Sequence, residues 1–287
     1  MKADRPSATA SYVAMGRALA HARGNVRGFR DPFALGFLGD EYRAVAERCI
    51  RGSFPRSVRD AMLGHVARAT EKLMGPRTME IDDGLLAMRP GCQLVLLGAG
   101  LDSRAYRMTE LAESVAFEVD YPSTQAFKRQ KAEGLRPVVR ELRYVPVDFA
   151  NEKMGDVLAR AGHRTDVPTA WVFEGVISYL LPRDVEASIQ AIAERSAPGS
   201  RLLATYNEPS RVRRLVGGIL SRRTSEPQHS SYVPDEMRAL LARYGFVVRS
   251  DRDGVERARR WATEAWRGWN RFHHVVIADR VDPAKGA

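Results

Sequence analysis

With 287 residues, and 45 Lys and Arg against 35 Asp and Glu, the chain carries a formal net charge of +10. That length is about twice a typical domain and admits one large domain or two small ones. Hydrophobic residues at 44% and charged residues at 28% match globular proteins and exclude disorder, a collagen-like fibre and a disulfide-stapled miniprotein. Six of the basic residues are Lys and 39 are Arg. Codon composition shifts Arg usage wholesale, so the excess does not by itself name a partner. It reads either as a solvated basic surface or as attraction toward nucleic acid, an anionic lipid surface or a carboxylate substrate.

Cys49 and Cys92 lie far apart with no CxxC, which excludes a zinc module and predicts packing residues in a reducing compartment. No metal site is expected. The first twelve residues, MKADRPSATASY, lack the apolar centre of a secretory signal, and no apolar run is long enough to span a bilayer. A cytoplasmic protein without a membrane partner is expected.

In chain order, 8–22 carries apolar residues at helical spacing and ends at Gly24-Asn25. Asp31-Pro32 predicts the start of a second, short helix, with Asp as N-cap and Pro at the first position. A third helix is expected over 57–88, broken or kinked at Gly75-Pro76. From Gly91 the pattern changes to short apolar runs at 93–100, 114–120, 144–148, 169–175 and 201–206, separated by helical segments at about 121–133, 151–161 and 183–196. Two more strands are predicted at 245–250 and 272–280. Strand alternating with helix predicts an α/β fold: a doubly wound, seven-stranded, mostly parallel sheet, Rossmann-like, with a helical N-terminal extension. The expected organisation is a helical cap at 1–90 and a core at 91–287, with a lid over 208–232.

The run Leu94 to Leu97 leads directly into Gly98-Ala99-Gly100. Glycine there lets the backbone turn sharply and lets a ligand approach main-chain N–H groups. Ser103 stands where a dinucleotide fingerprint needs its third glycine, which counts against NAD or FAD. Asp120 ends the next strand, 20 residues after Gly100, where an acid can accept from two ribose hydroxyls. Capping of the helix at Tyr121-Pro122 is the alternative role for Asp120. A nucleoside ligand without a diphosphate points to S-adenosylmethionine.

LLGAGLDSRAYRM (96–108) and FEVDYPSTQAFKR (117–129) resemble the leucine carboxyl methyltransferase family, which includes polyketide carboxyl methyltransferases. VFEGVISYLLP (172–182), GFRDPFA (28–34) and RTMEIDDGLL (77–86) match further elements of it. The resemblance spans about 8–210, and the C-terminal quarter carries no recognisable signature. It implies a class I methyltransferase using S-adenosylmethionine. Arg77 would then pair with the cofactor's methionine carboxylate, a task that suits a planar guanidinium. Arg17 is a weaker candidate for that role or for an acidic substrate. Gly98, Ala99 and Gly100 would line the methionine and ribose, Asp120 with Tyr121 the ribose, and Asp148 with Phe149 the adenine. Asp148 could instead cap the next helix. Glu174 would face the cofactor's ammonium or the reacting centre, and Tyr179 would either contact the acceptor or pack in the core.

The resemblance and the lack of a histidine in these motifs point to a carboxylate acceptor, already ionised at neutral pH and needing no base. A small-molecule carboxylate is expected, with a peptide C-terminal carboxylate as the alternative. The absence of an NPPY-type tetrapeptide disfavours methylation of base amines. RVRRLVGGILSRRTSEPQHSSY (211–232) reads as a lid or as an amphipathic surface helix. Trp261, Trp266 and Trp269 among arginines read as base-stacking residues of an RNA modifier or, more commonly, as a helix packed on the sheet. Oligomeric state leaves no trace in the sequence.

Overall fold

The protein is described by a computed structural model covering residues 7–148, 152–209, 228–263 and 269–281. Helix α1 (Ala8–Arg23) starts where Ser7 accepts from the Ala10 N–H and stops at Gly24, whose left-handed φ of 62° closes the last turn. Helix α2 (Asp40–Arg51) has no counterpart in the sequence reading. Glycines bound it on both sides, Asp40 and Glu41 stand in its first turn, and Arg48 and Arg51 stand in its last, each favourable to the helix dipole. The helix expected at Asp31-Pro32 does not form, and residues 32–38 make turns instead. The Asp31 carboxylate still accepts from the Ala34 N–H at 3.0 Å, but its other oxygen is committed to Arg17, so its cap opens no helix.

Helix α3 (Val58–Leu86) continues through Pro76, so of the break or kink expected there, the break does not occur. An internal proline costs about 3 kcal/mol, and burial outweighs it here. Gly16 of α1 brings the two backbones so close that a Cβ would lie 2.8 Å from the Thr70 carbonyl carbon, and a Cβ on Gly75 would lie 2.7 Å from Val26.

The seven expected strands all form: β1 (Gln93–Leu97), β2 (Val115–Asp120), β3 (Glu141–Pro146), β4 (Thr169–Phe173), β5 (Arg201–Asn207), β6 (Phe246–Arg252) and β7 (His273–Arg280). Between them lie α4 (Arg104–Arg107), α5 (Pro122–Lys131), α6 (Met154–Arg160), α7 (Pro182–Glu194), α8 (Pro234–Arg243) and α9 (Gly254–Trp261). Strand β3 begins three residues earlier than its apolar run suggests. It is an edge strand, and Glu141 and Arg143 are tolerated there.

The sheet order is β3-β2-β1-β4-β5-β7-β6, with β7 antiparallel to both its neighbours. Strands β1 and β4 are parallel neighbours, and the order in which strands are added across the sheet reverses between them. That switch point opens a crevice at the strand carboxyl ends. Alternate residues of β1 serve two cores. Leu94 and Leu96 pack with Met15, Leu19, Phe37 and Ile81 of the N-terminal segment, while Val95 and Leu97 pack with Phe117, Trp171 and Phe173. The helical extension therefore closes one face of the sheet. Among the described residues, no helix is long and apolar enough to cross a membrane.

Gly84 is where α3 seats on the sheet: a Cβ would stand 2.5 Å from Leu203 Cδ2 and 2.8 Å from Ile277 Cδ1. Gly84→Ala should lower unfolding stability by about 1–3 kcal/mol in urea titrations. An unchanged midpoint would contradict this seating.

Candidate functional site

The crevice is built from the ends of β1, β2 and β4 and from the α3 helix that crosses beside them. After β1 the chain turns through Gly98 (φ 67°) and Gly100 (φ 50°), conformations that L side chains rarely adopt. A Cβ on Gly98 would lie 2.5 Å from Val176 Cγ2, and one on Gly100 would lie 3.3 Å from the Ala10 Cβ. The turn is thus clamped between α1 and the loop after β4.

The N–H groups that the glycines leave open to approach are themselves engaged within the protein. Gly98 and Ala99 both donate to the Val119 carbonyl, at 2.8 and 3.0 Å, and Gly100 donates to Asp120 Oδ2. Asp120 Oδ1 accepts from the Tyr121 N–H at 2.6 Å. Two main-chain donors therefore fix this half-buried carboxylate beside the glycine turn. It does not cap α5, whose N-cap is Tyr121. Asp148 follows β3 at the same end of the sheet, and its neighbour Val147 donates to the Asp120 carbonyl at 2.9 Å. Asn151, where the sequence suggests that a helix capped by Asp148 would start, lies outside the described residues, and α6 begins at Met154. Phe149 lies outside the described residues.

Beyond β4, Glu174 sits between two guanidiniums. Its Oε1 accepts from Arg77 Nε at 2.7 Å and its Oε2 from Arg104 Nη1 at 2.8 Å. Arg104 is fully buried and also holds Asp82 Oδ1 at 2.7 Å and Asp102, while Asp82 Oδ2 meets Arg107 at 2.7 Å. One connected ion network thus links α3, the glycine turn, α4 and β4. Burial alone would raise the Glu174 pKa, but Arg104 and Arg77 hold it below the usual carboxylate range. Burial also opposes ionisation of Asp102, and Arg104 with Arg17 overcomes it.

Of the residues singled out from the sequence, Arg77 and Glu174 are in direct contact and Asp120 lies against the glycine turn. Sequence reasoning passed over Arg104, Arg107, Asp82 and Asp102, although all four stand inside the quoted motifs.

Arg17 is neither surface residue nor free ligand. It is buried, its Nε lies 3.2 Å from Asp31 Oδ2, and it donates to the Leu101 carbonyl. Those contacts tie α1 to the loop after the glycine turn. Tyr179 ends a short 3-10 turn five residues past Glu174 and is half-buried. Of the expected lid, 210–227 lies outside the described residues, and 228–232 returns over the same strand ends. His229 and Ser230 donate to the Ser178 carbonyl, and Tyr232 donates to the Asn207 carbonyl at 2.9 Å. Trp266 also lies outside the described residues. The Trp261 indole donates to buried Glu80 at 2.8 Å, a contact that ties α9 to α3 and does not suit stacking on a base.

A second polar cluster stands at the end of β5. His274 bridges Asp251 (3.0 Å) and Glu208 (2.8 Å), Tyr206 donates to Asp251 at 2.6 Å, and its ring stacks on the imidazole. Burial works against protonation of His274, but Asp251 and Glu208 raise its pKa above the usual value.

A family model, leucine carboxyl methyltransferase, matches residues 10–193. The chain belongs to the leucine carboxyl methyltransferase family. It is an S-adenosylmethionine-dependent methyltransferase. A Streptomyces coelicolor protein with the provisional name of S-adenosyl-L-methionine-dependent methyltransferase is 34% identical over 83% of this chain and 82% of its own length. A similarly named protein of Mycolicibacterium gilvum is 34% identical over 83% of this chain and 77% of its own. A crystal structure from Thermobifida fusca, provisionally named a methyltransferase, superposes with a TM-score of 0.56 at 17% identity. It covers 97% of this chain and 96% of that one, a likeness of fold.

The donor set of this family member fits its cofactor. A side chain would fill the Gly98 turn, Asp120 can accept from hydroxyls there, and the Arg77–Glu174 pair mirrors the two charges of an aminocarboxylate. Arg104→Met would leave Glu174, Asp82 and Asp102 buried with too little positive charge. It should cost about 3–5 kcal/mol of stability in denaturant titrations. A loss below about 1 kcal/mol would show that the network does not hold these elements together.

Proposed function

We propose that this methyltransferase esterifies a carboxylate of a small molecule. The observation that supports this most is the match of residues 10–193 to leucine carboxyl methyltransferase, a family named for methylation of a carboxyl group. When bound, S-adenosylmethionine supplies an electrophilic methyl group on a positively charged sulfur, open to in-line displacement by a carboxylate oxygen.

The chain's own residues then have to bind, align and exclude water. Arg77 would take the cofactor's carboxylate and Glu174 its ammonium, in place of the contact those two side chains make with each other. Arg104 keeps Glu174 ionised and in place during that exchange. Asp120 accepts from the ribose hydroxyls, with Gly98, Ala99 and Gly100 lining the path and Tyr121, Asp148 and Phe149 on the adenosine side. Tyr179 faces the acceptor.

A carboxylate with a pKa near 4 needs no base at neutral pH. His274 is poorly suited to act as one, since two carboxylates stabilise its protonated form. The family relationship is compatible with a peptide C-terminal carboxylate too, which differs in size and not in chemistry.

The test is a labelled-methyl assay on small-molecule and peptide fractions of a cell extract. The expected product is a base-labile ester in the small-molecule fraction that releases methanol. A base-stable product would contradict carboxylate methylation, and label confined to peptides would move the acceptor to a protein terminus.

A further inference from the structure

Arg257 on α9 is 1% exposed, yet it makes no ion pair among the described residues. Its Nη1 donates to the carbonyls of Arg252 (2.7 Å) and His273 (2.9 Å), and its Nη2 lies 3.2 Å from His273 Nδ1. Its Nε is buried with no hydrogen-bond partner. The unused donors, Nε–H and the second Nη2 proton, form the side-on edge with which a guanidinium grips a carboxylate through two parallel hydrogen bonds.

The acids near enough to act on this charge are already engaged. Glu80 is held by Arg252, Arg260 and Trp261, Asp251 by Tyr206 and His274, and Asp253 caps the first turn of α9. The cation that acts on it most strongly is Arg77 of the cofactor site. Burial, followed by repulsion from Arg77, pulls the Arg257 pKa down to about 9. A buried guanidinium that feels the charge of another, with its Nε–H unpaired among the described residues, is an unfavourable arrangement that an anion would relieve.

We propose that the Nε edge of Arg257 is the subsite for the acceptor's carboxylate, next to Arg77. This rests on the carboxylate reading above and adds the residue that selects the acceptor's charge. One acceptor oxygen forms the new bond to the methyl carbon, the carbon–sulfur bond breaks, and its electron pair stays on sulfur, which becomes neutral. No proton moves. The ester has lost the negative charge that Arg257 holds, so the same contact that recruits the substrate weakens for the product.

Two carboxylates enter this site, the cofactor's and the acceptor's, and the experiment separates them. S-adenosylhomocysteine is titrated calorimetrically into wild type, Arg257→Met and Arg257→Lys. Acetate and its neutral methyl ester are then titrated into the protein saturated with S-adenosylhomocysteine. Ionic strength is held constant, and the melting midpoint is followed because a ligand of the native state raises it.

Acetate should raise the wild-type midpoint and methyl acetate should not. Arg257→Met should weaken the acetate response roughly tenfold or more while leaving S-adenosylhomocysteine affinity within about twofold. Arg257→Lys, which keeps the charge without the fork, should retain the wild-type midpoint yet lose most of the acetate response. Should Arg257→Met fail to bind S-adenosylhomocysteine because it misfolds, the Lys variant decides. No acetate response in wild type, or an unchanged one in Arg257→Lys, would overturn the proposal. A selective loss of S-adenosylhomocysteine affinity in Arg257→Lys would assign the edge to the cofactor and overturn it equally. A base-stable methylated product from wild type would instead remove the carboxylate reading, whatever the acetate titrations give.

Discussion

The Glu174 carboxylate is buried between Arg77 and Arg104, and each of the three side chains comes from a different part of the fold. Arg77 belongs to the long helix of the N-terminal extension, Arg104 to the helix after the glycine turn, and Glu174 follows the central strand. A carboxylate taken out of water needs its charge compensated and its lone pairs filled. Meeting that requirement forces α3 against the end of β4 and fixes the glycine turn between them. The ion network therefore does for the crevice what the two apolar cores do for the sheet.

Arg77 and Glu174 compensate each other's charge, so neither is a bare charge out of water. A cofactor aminocarboxylate presents the complementary pair of charges. Arg104, held by Asp82 and Asp102, is not part of this exchange and keeps Glu174 in position. Arg257 differs from all of these in having no carboxylate partner among the described residues.

Much of the fold was legible because strands buried on both faces leave continuous apolar runs, and the Gly98–Gly100 turn and Asp120 mark the switch point directly. The misses have physical causes. Pro76 reads as a helix breaker because the close approach of α1 that offsets it involves Gly16, sixty residues earlier. Asp31-Pro32 carries the local marks of a helix start, and only tertiary structure shows Asp31 engaged by Arg17. Arg104 and Arg257 were invisible for a related reason. Among 39 arginines nothing local separates a buried guanidinium from a solvated one, and the distinction depends on partners scores of residues away, such as Glu174 for Arg104.

The central claim is that the Arg77–Glu174 pair receives the cofactor's aminocarboxylate. It is tested most directly by calorimetric titration of S-adenosylhomocysteine into wild type and Arg77→Met, alongside the same nucleoside lacking the amino acid moiety. The account predicts that Arg77→Met weakens S-adenosylhomocysteine binding roughly tenfold or more while the truncated nucleoside binds both proteins alike. Equal S-adenosylhomocysteine affinity for wild type and Arg77→Met would contradict it.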